Sequence, residues 1–316
     1  MEVETGRLIG SYRVGRLLGQ GGMGAVYSAE HAALRLPCAL KVFTADGAKK
    51  EFLRKRFLAE GRLLARLDHP RLVKVRDLAV DEASGAPYFA MDLVLDATGE
   101  PCTLEEWRKR RKPDEAAIVA VYADLREGLE YLHGQGVVHR DLKLENVLIG
   151  HDGRAVLSDF GVSRIFDEEL RRALSVTVTF AADKAPIMGS FGYLAPELKR
   201  GETATPASDA YALGVLVFRL LTGVWYENDS VAMDLLAGFD ENWTTLLTQL
   251  LAEDPSKRLP LPTLKLARGV RHSAPIWLAA TAFVLLALGG IALYVANRPP
   301  HYDFDEFFPP SEEVVQ

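Results

Sequence analysis

The apolar pattern of this chain changes character once, near residue 100, and that change limits the fold more than any other feature. Before it, short strand-type runs recur at Tyr12–Leu18, Ala25–Ala29, Cys38–Phe43, Leu72–Val80 and Tyr88–Leu95, separated by turn residues. One helix interrupts them, Glu51–Leu67, with Phe52, Leu53, Phe57, Leu58, Leu63, Leu64 and Leu67 at helical spacing and a stop at His69-Pro70. After the loop DATGEPC the pattern is helical. Leu104–Arg111 comes first, then Glu115–His133 with Ile118, Val121, Tyr122, Leu125, Leu129 and Leu132 on one face, stopped by Gly134 and Gly136. Two brief strands follow near Val147–Ile149 and Ala155–Ser158, then an irregular stretch to about residue 194. Ser208–Thr222 is apolar nearly all round, as a helix buried on every side must be. Strands first and helices second predict an α+β chain built as a strand-rich lobe joined to a helix-rich lobe.

A second feature calls for lipid. Ser273–Asn297 holds no charged residue, and Ile276–Ala296 is long enough to cross the ~30 Å hydrocarbon layer as a helix. It lacks the polar stripe of a core helix, and Trp277 and Tyr294 near its ends suit the membrane interface. Lys257, Arg258, Lys265, Arg268 and Arg271 precede it, whereas only Arg298 follows. The positive-inside bias therefore places residues 1–272 in the cytoplasm, 273–297 across the plasma membrane and the acidic tail 298–316 outside, too short to fold alone. Ala292 and Ala296 form a small-xxx-small pair through which two copies would meet as a homodimer. The opening MEVETGRLIG has no apolar core of a cleavable signal peptide.

Composition narrows the remainder. With 316 residues, 25% charged and 48% hydrophobic, the chain has the make-up of a folded protein able to bury a large core. A net charge of −6 speaks against a nucleic-acid binder. Cys38 and Cys102 fit no metal spacing and read as indifferent thiols in a reducing compartment.

The chemistry-bearing residues fall in clusters. Gly19-Gln20-Gly21-Gly22-Met23-Gly24-Ala25-Val26 lies between two strands. A dinucleotide-binding glycine turn would open a helix instead. Between strands, the glycines let backbone N–H groups approach triphosphate oxygens without a Cβ in the way. Lys41 follows Gly24 by 17 residues inside the apolar run Ala39, Leu40, Val42, Phe43, where an ammonium is costly unless paired. Glu60, in the middle of the next helix, is the expected partner. His139-Arg140-Asp141-Leu142-Lys143-Leu144-Glu145-Asn146 follows the long helix, and Asp159-Phe160-Gly161 comes thirteen residues after Asn146. Ala195-Pro196-Glu197, Asp209 at the head of the apolar helix, and Arg258 complete the set.

In this order and context the motifs resemble those of the eukaryotic-like protein kinase family over roughly residues 8–268. The wording GQGGMGAVY is similar to that of bacterial serine/threonine kinases, often tethered by a single helix. The resemblance implies a bilobal kinase fold with an N-lobe at about 8–95 and a C-lobe at about 96–268. It implies transfer of the ATP γ-phosphate to Ser/Thr hydroxyls of protein substrates, autophosphorylation and membrane-tethered signalling. The segment Leu18, Gly19, Gln20, Gly21, Gly22, Met23, Gly24, Ala25 and Val26 would cover the nucleotide. Lys41, held by Glu60, would neutralise the α- and β-phosphates. Asn146 and Asp159 would hold Mg2+, with Mn2+ as a substitute. Asp141 would accept the substrate hydroxyl proton and Lys143 would steady the transferred phosphoryl group. Adenine would lie between Val26, Ala39 and Leu148, against hinge backbone at Asp92 and Val94, with Met91 as gatekeeper. Lys143 within HRDLKLEN carries the expectation of Ser/Thr over Tyr.

Two departures from the family pattern stand out. Gly223–Asp254 is short and is expected to lack much of one C-lobe helical segment. Val162–Gly189 is long, and Ser190 replaces the usual threonine before FGYLAPE. Arg140 implies an anionic partner in that segment, yet the positions where relatives carry phosphorylated threonines hold Ala182, Asp183 and Lys184. Either Thr177 or Thr179 takes the phosphate, or Asp183 supplies a built-in carboxylate. A catalytically silent scaffold of the same fold would lack one of Lys41, Glu60, Asp141, Asn146 or Asp159, and all five are present. A small-molecule phosphotransferase of related fold is disfavoured by Ala195-Pro196-Glu197 and Asp209.

Overall fold

A computed structural model describes residues 3–21, 24–44, 50–159, 192–226 and 234–265. Gly22, Met23, Phe160, Gly161, Thr177, Thr179, Asp183, Ser190 and the segment Ile276–Ala296 lie outside them. Among the described residues no helix is long and apolar enough to cross a membrane.

The first lobe is an antiparallel sheet of six strands: β1 (Leu8–Ile9), β2 (Tyr12–Gln20), β3 (Gly24–His31), β4 (Pro37–Phe43), β5 (Val75–Val80) and β6 (Pro87–Met91), in spatial order β1-β2-β3-β4-β6-β5. Its one helix among the described residues is α1 (Lys50–Leu64). Strand alternation sorts the side chains of β4. Leu40 and Val42 join Val14, Tyr27 and Tyr88 in one buried cluster, while Ala39 and Lys41 point to the opposite face. On β3, Val26 pairs with Lys41 and Gly24 with Phe43. A Cβ on Gly24 would stand 2.3 Å from the Val42 carbonyl oxygen, so only glycine lets the two strands approach here.

The second lobe is helical. It contains α2 (Leu104–Arg111), α3 (Glu115–Gly134), the hairpin β7 (Val147–Ile149) and β8 (Ala155–Leu157), α4 (Pro196–Lys199), α5 (Pro206–Thr222) and α6 (Glu241–Leu250). α2 begins with a capping box between Thr103 and Glu106. α5 also opens with a capping box, at Thr205, and ends on Gly223 in the left-handed region at φ 79°. Nearly every residue of α5 is buried, as its all-round apolar pattern predicts.

Several boundaries differ from the sequence reading, each for a local reason. Leu72 is not part of β5, because it forms an isolated parallel bridge with Leu157 instead. β6 stops at Met91 rather than Leu95, since the Asp92 amide leaves the ladder to donate to the Lys74 carbonyl. α1 ends at Leu64, beyond which Arg66 and Leu67 make tighter i to i−3 bonds. Between Gly223 and Asp254 the described residues hold one helix, α6. Asp240 caps it by accepting from the Asn242 amide, and Trp243, Leu246, Leu247 and Leu250 bury its inner face. The Trp243 Nε1–H donates to Glu115 at 2.8 Å and ties α6 to the start of α3.

Candidate active site

A cavity of about 640 Å3 is lined by residues of β2, β3, β4, α2, the hinge after β6 and the hairpin β7–β8. The strand pattern carries Leu18, Gly19, Gln20, Gly21, Gly24, Val26, Ala39 and Lys41 to its wall. The hinge supplies Met91, Asp92 and Val94, and the helical lobe supplies Lys143, Asn146, Leu148 and Asp159. Ala25 does not belong to this wall. The alternation that turns Gly24 and Val26 inward sends its side chain into the buried cluster on the other face. Val73, Leu93, Pro101, Thr103, Glu106, Glu145 and Ser158 complete the lining, and sequence reasoning passed over them. Leu93 was legible, lying between two expected hinge residues. Thr103 and Glu106 carried only their capping signal.

Lys41 stands between two carboxylates. Its Nζ donates to Glu60 Oε1 at 2.6 Å and to Asp159 Oδ1 at 2.9 Å. Burial works against its ammonium, but Asp159 and Glu60 outweigh that cost and hold its pKa above the ordinary lysine value. In return the Lys41 charge holds Asp159 below the usual carboxylate range, against the opposing pull of burial, with Lys143 and His139 adding to it. The Asp159 contact was not visible in the sequence, since 118 residues separate the partners.

Around Asp141 the polar groups form a second knot. Lys143 Nζ and Asn146 Nδ2 both donate to Asp141 Oδ2 at 2.9 Å, and Asn146 Nδ2 also reaches the Asp141 carbonyl at 2.8 Å. Asp209 anchors the loop from below, its Oδ2 accepting the His139 amide at 2.8 Å and its Oδ1 the Arg140 amide at 2.9 Å. That clamp holds Arg140 at φ 67°, while Asp159 sits at φ 49°, left-handed conformations that non-glycine residues seldom adopt. Burial lowers the pKa of His139 below the ordinary histidine value, against the opposing pull of Asp209 and Asp141.

Among the described residues no three His, Cys, Asp or Glu side chains gather as a metal site. The donor set still fits a hard cation completed by phosphate oxygens. Asp159 offers a carboxylate with 47% of its surface exposed, and Asn146, its Nδ2 spent on Asp141, presents its amide oxygen.

A two-lobed architecture with this cavity defines the class of phosphoryl-transfer proteins built on the protein kinase fold. The protein kinase domain model matches residues 12–267, and the chain belongs to that family. It is 36% identical over 273 residues to the serine/threonine-protein kinase PkaB of Streptomyces coelicolor, covering 80% of this chain and 61% of PkaB. It is 34% identical over 226 residues to the serine/threonine-protein kinase PknJ of Mycobacterium tuberculosis, covering 70% of this chain and 36% of PknJ. The chain thus matches only part of these curated relatives' length. Among solved structures, the kinase domain of Mycobacterium tuberculosis PknI superimposes with a TM-score of 0.57 at 28% identity, covering 83% of this chain and 95% of that one. PpkA-294 in its apo form reaches 0.66 at 23% identity, with 83% and 96% covered, which speaks to the fold alone.

Proposed function

We propose that the chain is a serine/threonine protein kinase that moves the γ-phosphoryl group of ATP onto Ser or Thr hydroxyls of proteins, itself included. One observation carries the reading: Lys41 and Asp159 line one cavity with Lys143 and Asn146, Glu60 holding Lys41 from behind and Asp141 accepting from both Lys143 and Asn146. In this reading the glycine-rich turn between β2 and β3 covers the phosphates with backbone N–H groups. Lys41 neutralises the α- and β-phosphates. Bound Mg2+, or Mn2+ in its place, supplies charge neutralisation on the phosphate oxygens, and Asn146 and Asp159 hold it.

Asp141 takes the proton of the attacking hydroxyl as that oxygen bonds to the γ-phosphorus and the bond to ADP breaks. Lys143, already 2.9 Å from Asp141, balances charge on the group in flight. Val26, Ala39 and Leu148 enclose the adenine, and the backbone of Asp92 and Val94 reads its edge. Lys41→Ala and Asp159→Ala each remove charge neutralisation worth several kcal/mol at the transition state. Each variant is expected to lose autophosphorylation in a radiolabelled-ATP assay while remaining folded by circular dichroism. Normal label transfer by either purified variant would sink the reading.

The same reading places residues 1–272 in the cytoplasm, 273–297 across the plasma membrane and 298–316 outside. The uncharged run and the cations before it support this layout. The full chain is then expected to sediment with membranes and a truncation after Arg271 to stay in the supernatant. Cleavage of residues 1–272 by protease added outside intact cells would reverse the orientation. Autophosphorylation falls on Thr177 or Thr179 unless Asp183 supplies the anion for Arg140. Activity of the Thr177→Ala/Thr179→Ala variant beside that of Asp183→Asn separates the two.

A further inference from the structure

The chain carries a net charge of −6, yet one strip of its surface is strongly basic. α2 starts at the cavity, where Thr103 and Glu106 line the wall, and ends in Arg108-Lys109-Arg110-Arg111-Lys112. The side chains of Lys109 and Arg110 are 65% and 55% exposed, and Arg111 and Lys112 are exposed as well. Within this group Arg110 meets Glu106 only at 4.0 Å.

Beneath α2, a cation from another helix joins the cluster. Arg219, in the last turn of α5, is buried, and its Nη2 donates to Glu105 Oε1 at 3.4 Å. Lys109 reaches the same oxygen at 3.2 Å, and Arg108 spans both Glu105 oxygens at 3.0 and 3.1 Å. Burial alone would raise the Glu105 pKa, but Arg108, Lys109 and Arg219 hold it below the ordinary value. Three cations thus share one carboxylate. Their attraction cannot cancel the surplus, so the cluster presents positive charge to whatever docks on it.

Tyr193 ties this strip to the place of phosphoryl transfer. Its hydroxyl accepts from Arg219 Nη1 at 2.7 Å and from the Leu144 amide at 3.4 Å, next to Lys143. Its ring meets Trp225 edge to face at 5.2 Å, and the Trp225 ring lies 3.8 Å from the Arg219 guanidinium. Gly192 packs so closely on Trp225 that an added Cβ would come within 2.5 Å of the indole. Tyr193 also lines, with Asp141, Lys143 and Leu194, a small cleft beside the place of transfer. α2 is in turn fixed at the cavity by Thr103 and Glu106, so a polypeptide bound there passes close to its exposed cations.

We propose that the strip formed by Lys109, Arg110, Arg111 and Lys112, backed by the buried Arg219, is a docking surface that selects protein substrates with acidic residues flanking the acceptor hydroxyl. The inference rests on the protein kinase reading and names its substrate class. Complementary charge across such a surface speeds encounter and rejects like-charged sequences, and added salt weakens it.

The test uses the full chain in detergent micelles and a pair of fluorescent peptides with alanine at the acceptor position, one flanked by Glu and the other by Lys. By fluorescence anisotropy at low salt, the Glu peptide is expected to bind at least about tenfold more tightly. That preference is expected to shrink several-fold near 1 M salt, where the screening length is about 3 Å. Lys109→Glu/Arg111→Glu is expected to abolish or reverse it, and Lys109→Gln/Arg111→Gln to reduce it to an intermediate value, with melting curves confirming that both variants fold. Equal affinity for the two peptides, preference for the Lys peptide, or an unchanged ratio in the folded Glu variant would each overturn the proposal. Serine versions of the peptides with ATP test the underlying reading separately. Absence of transfer to either, with the acidic binding preference intact, would break the kinase reading and leave the docking surface standing.

Discussion

Two ion-paired centres, one in each lobe, use the same chemistry to opposite ends. Arg258 is fully buried, and its guanidinium is spent completely. Nη1 donates to Glu197 Oε1 at 2.7 Å and the Ala207 carbonyl at 3.1 Å. Nη2 donates to Glu197 Oε2 and the Glu253 carbonyl, both at 3.0 Å, and Nε to the Ala252 carbonyl at 2.7 Å. Every donor of the fork has an acceptor. Lys41 is balanced differently. One ammonium serves two carboxylates, and the second, Asp159, stays half-exposed at the cavity. The closed centre is neutral and finished, whereas the open one keeps negative charge that a metal-bound triphosphate would complete. Saturation marks a group that holds the fold, and an open balance marks one that waits for a ligand.

That contrast is broken most severely by exchanging one carboxylate oxygen for nitrogen on the open side. Asp141→Asn keeps a similar shape between Lys143 and Asn146 but removes the carboxylate proposed to take the proton. Phosphate transfer is expected to fall roughly 100- to 10,000-fold, while thermal melting stays unchanged. Loss of the folded state instead would mean that the Asp141 knot is structural, like the Arg258 centre.

On the closed side the expected loss is of stability. Glu197→Ala leaves the Arg258 charge buried and uncompensated, at a cost of about 3–5 kcal/mol, read as a fall in melting temperature on the order of 10 °C. Activity per folded molecule is expected to survive. The same carboxylate gives a pH signature. Burial would raise the Glu197 pKa, but hydrogen bonds from Arg258 and Ser208 lower it below the ordinary 4.5. A depressed carboxylate contributes stability that is full above the unfolded value and is lost as pH falls through the folded one. Wild-type melting temperature should therefore drop more steeply than that of Glu197→Ala below pH 4.5. Parallel acid profiles would remove Glu197 from the account.

The same division decides what could be read in advance. Motif residues such as Lys41, Glu60, Asp141 and Asn146 were legible because costly charges sit in apolar runs or at fixed spacings. α2 and β7 were legible because each has a sharp local boundary at both ends. The pairing of Asp159 with Lys41 and the convergence of Arg219 and Arg108 on Glu105 join distant segments, so no local pattern announces them. Ala25 was misplaced although the period-two rule would have put it on the far face. α6 was overlooked because Thr244, Thr245 and Thr248 dilute its helical look, yet Trp243, Leu246, Leu247 and Leu250 hold the i, i+3, i+4, i+7 spacing of a buried face.

The smallest effect sharpens the comparison by asking what an ion pair is worth when it is neither closed nor aimed at a ligand. Arg16, on β2 two positions before Leu18, meets Glu100, which precedes Pro101 at the opposite rim of the cavity. The pair bridges the lobes across the mouth. Its two side chains are 57% and 54% exposed, so water and salt share both charges. Exposed pairs of this kind contribute about 0.2–1 kcal/mol, which corresponds to roughly a 1.4- to 5-fold change in an equilibrium constant. Arg16→Ala is therefore expected to weaken ATP binding less than about fivefold at low ionic strength. In about 1 M salt, where the screening length is near 3 Å, variant and wild type should bind alike. Calorimetric titration of ATP at both salt concentrations measures this. A tenfold loss, or one that persists in high salt, would show that Arg16 acts on the nucleotide itself rather than on the closure of the lobes.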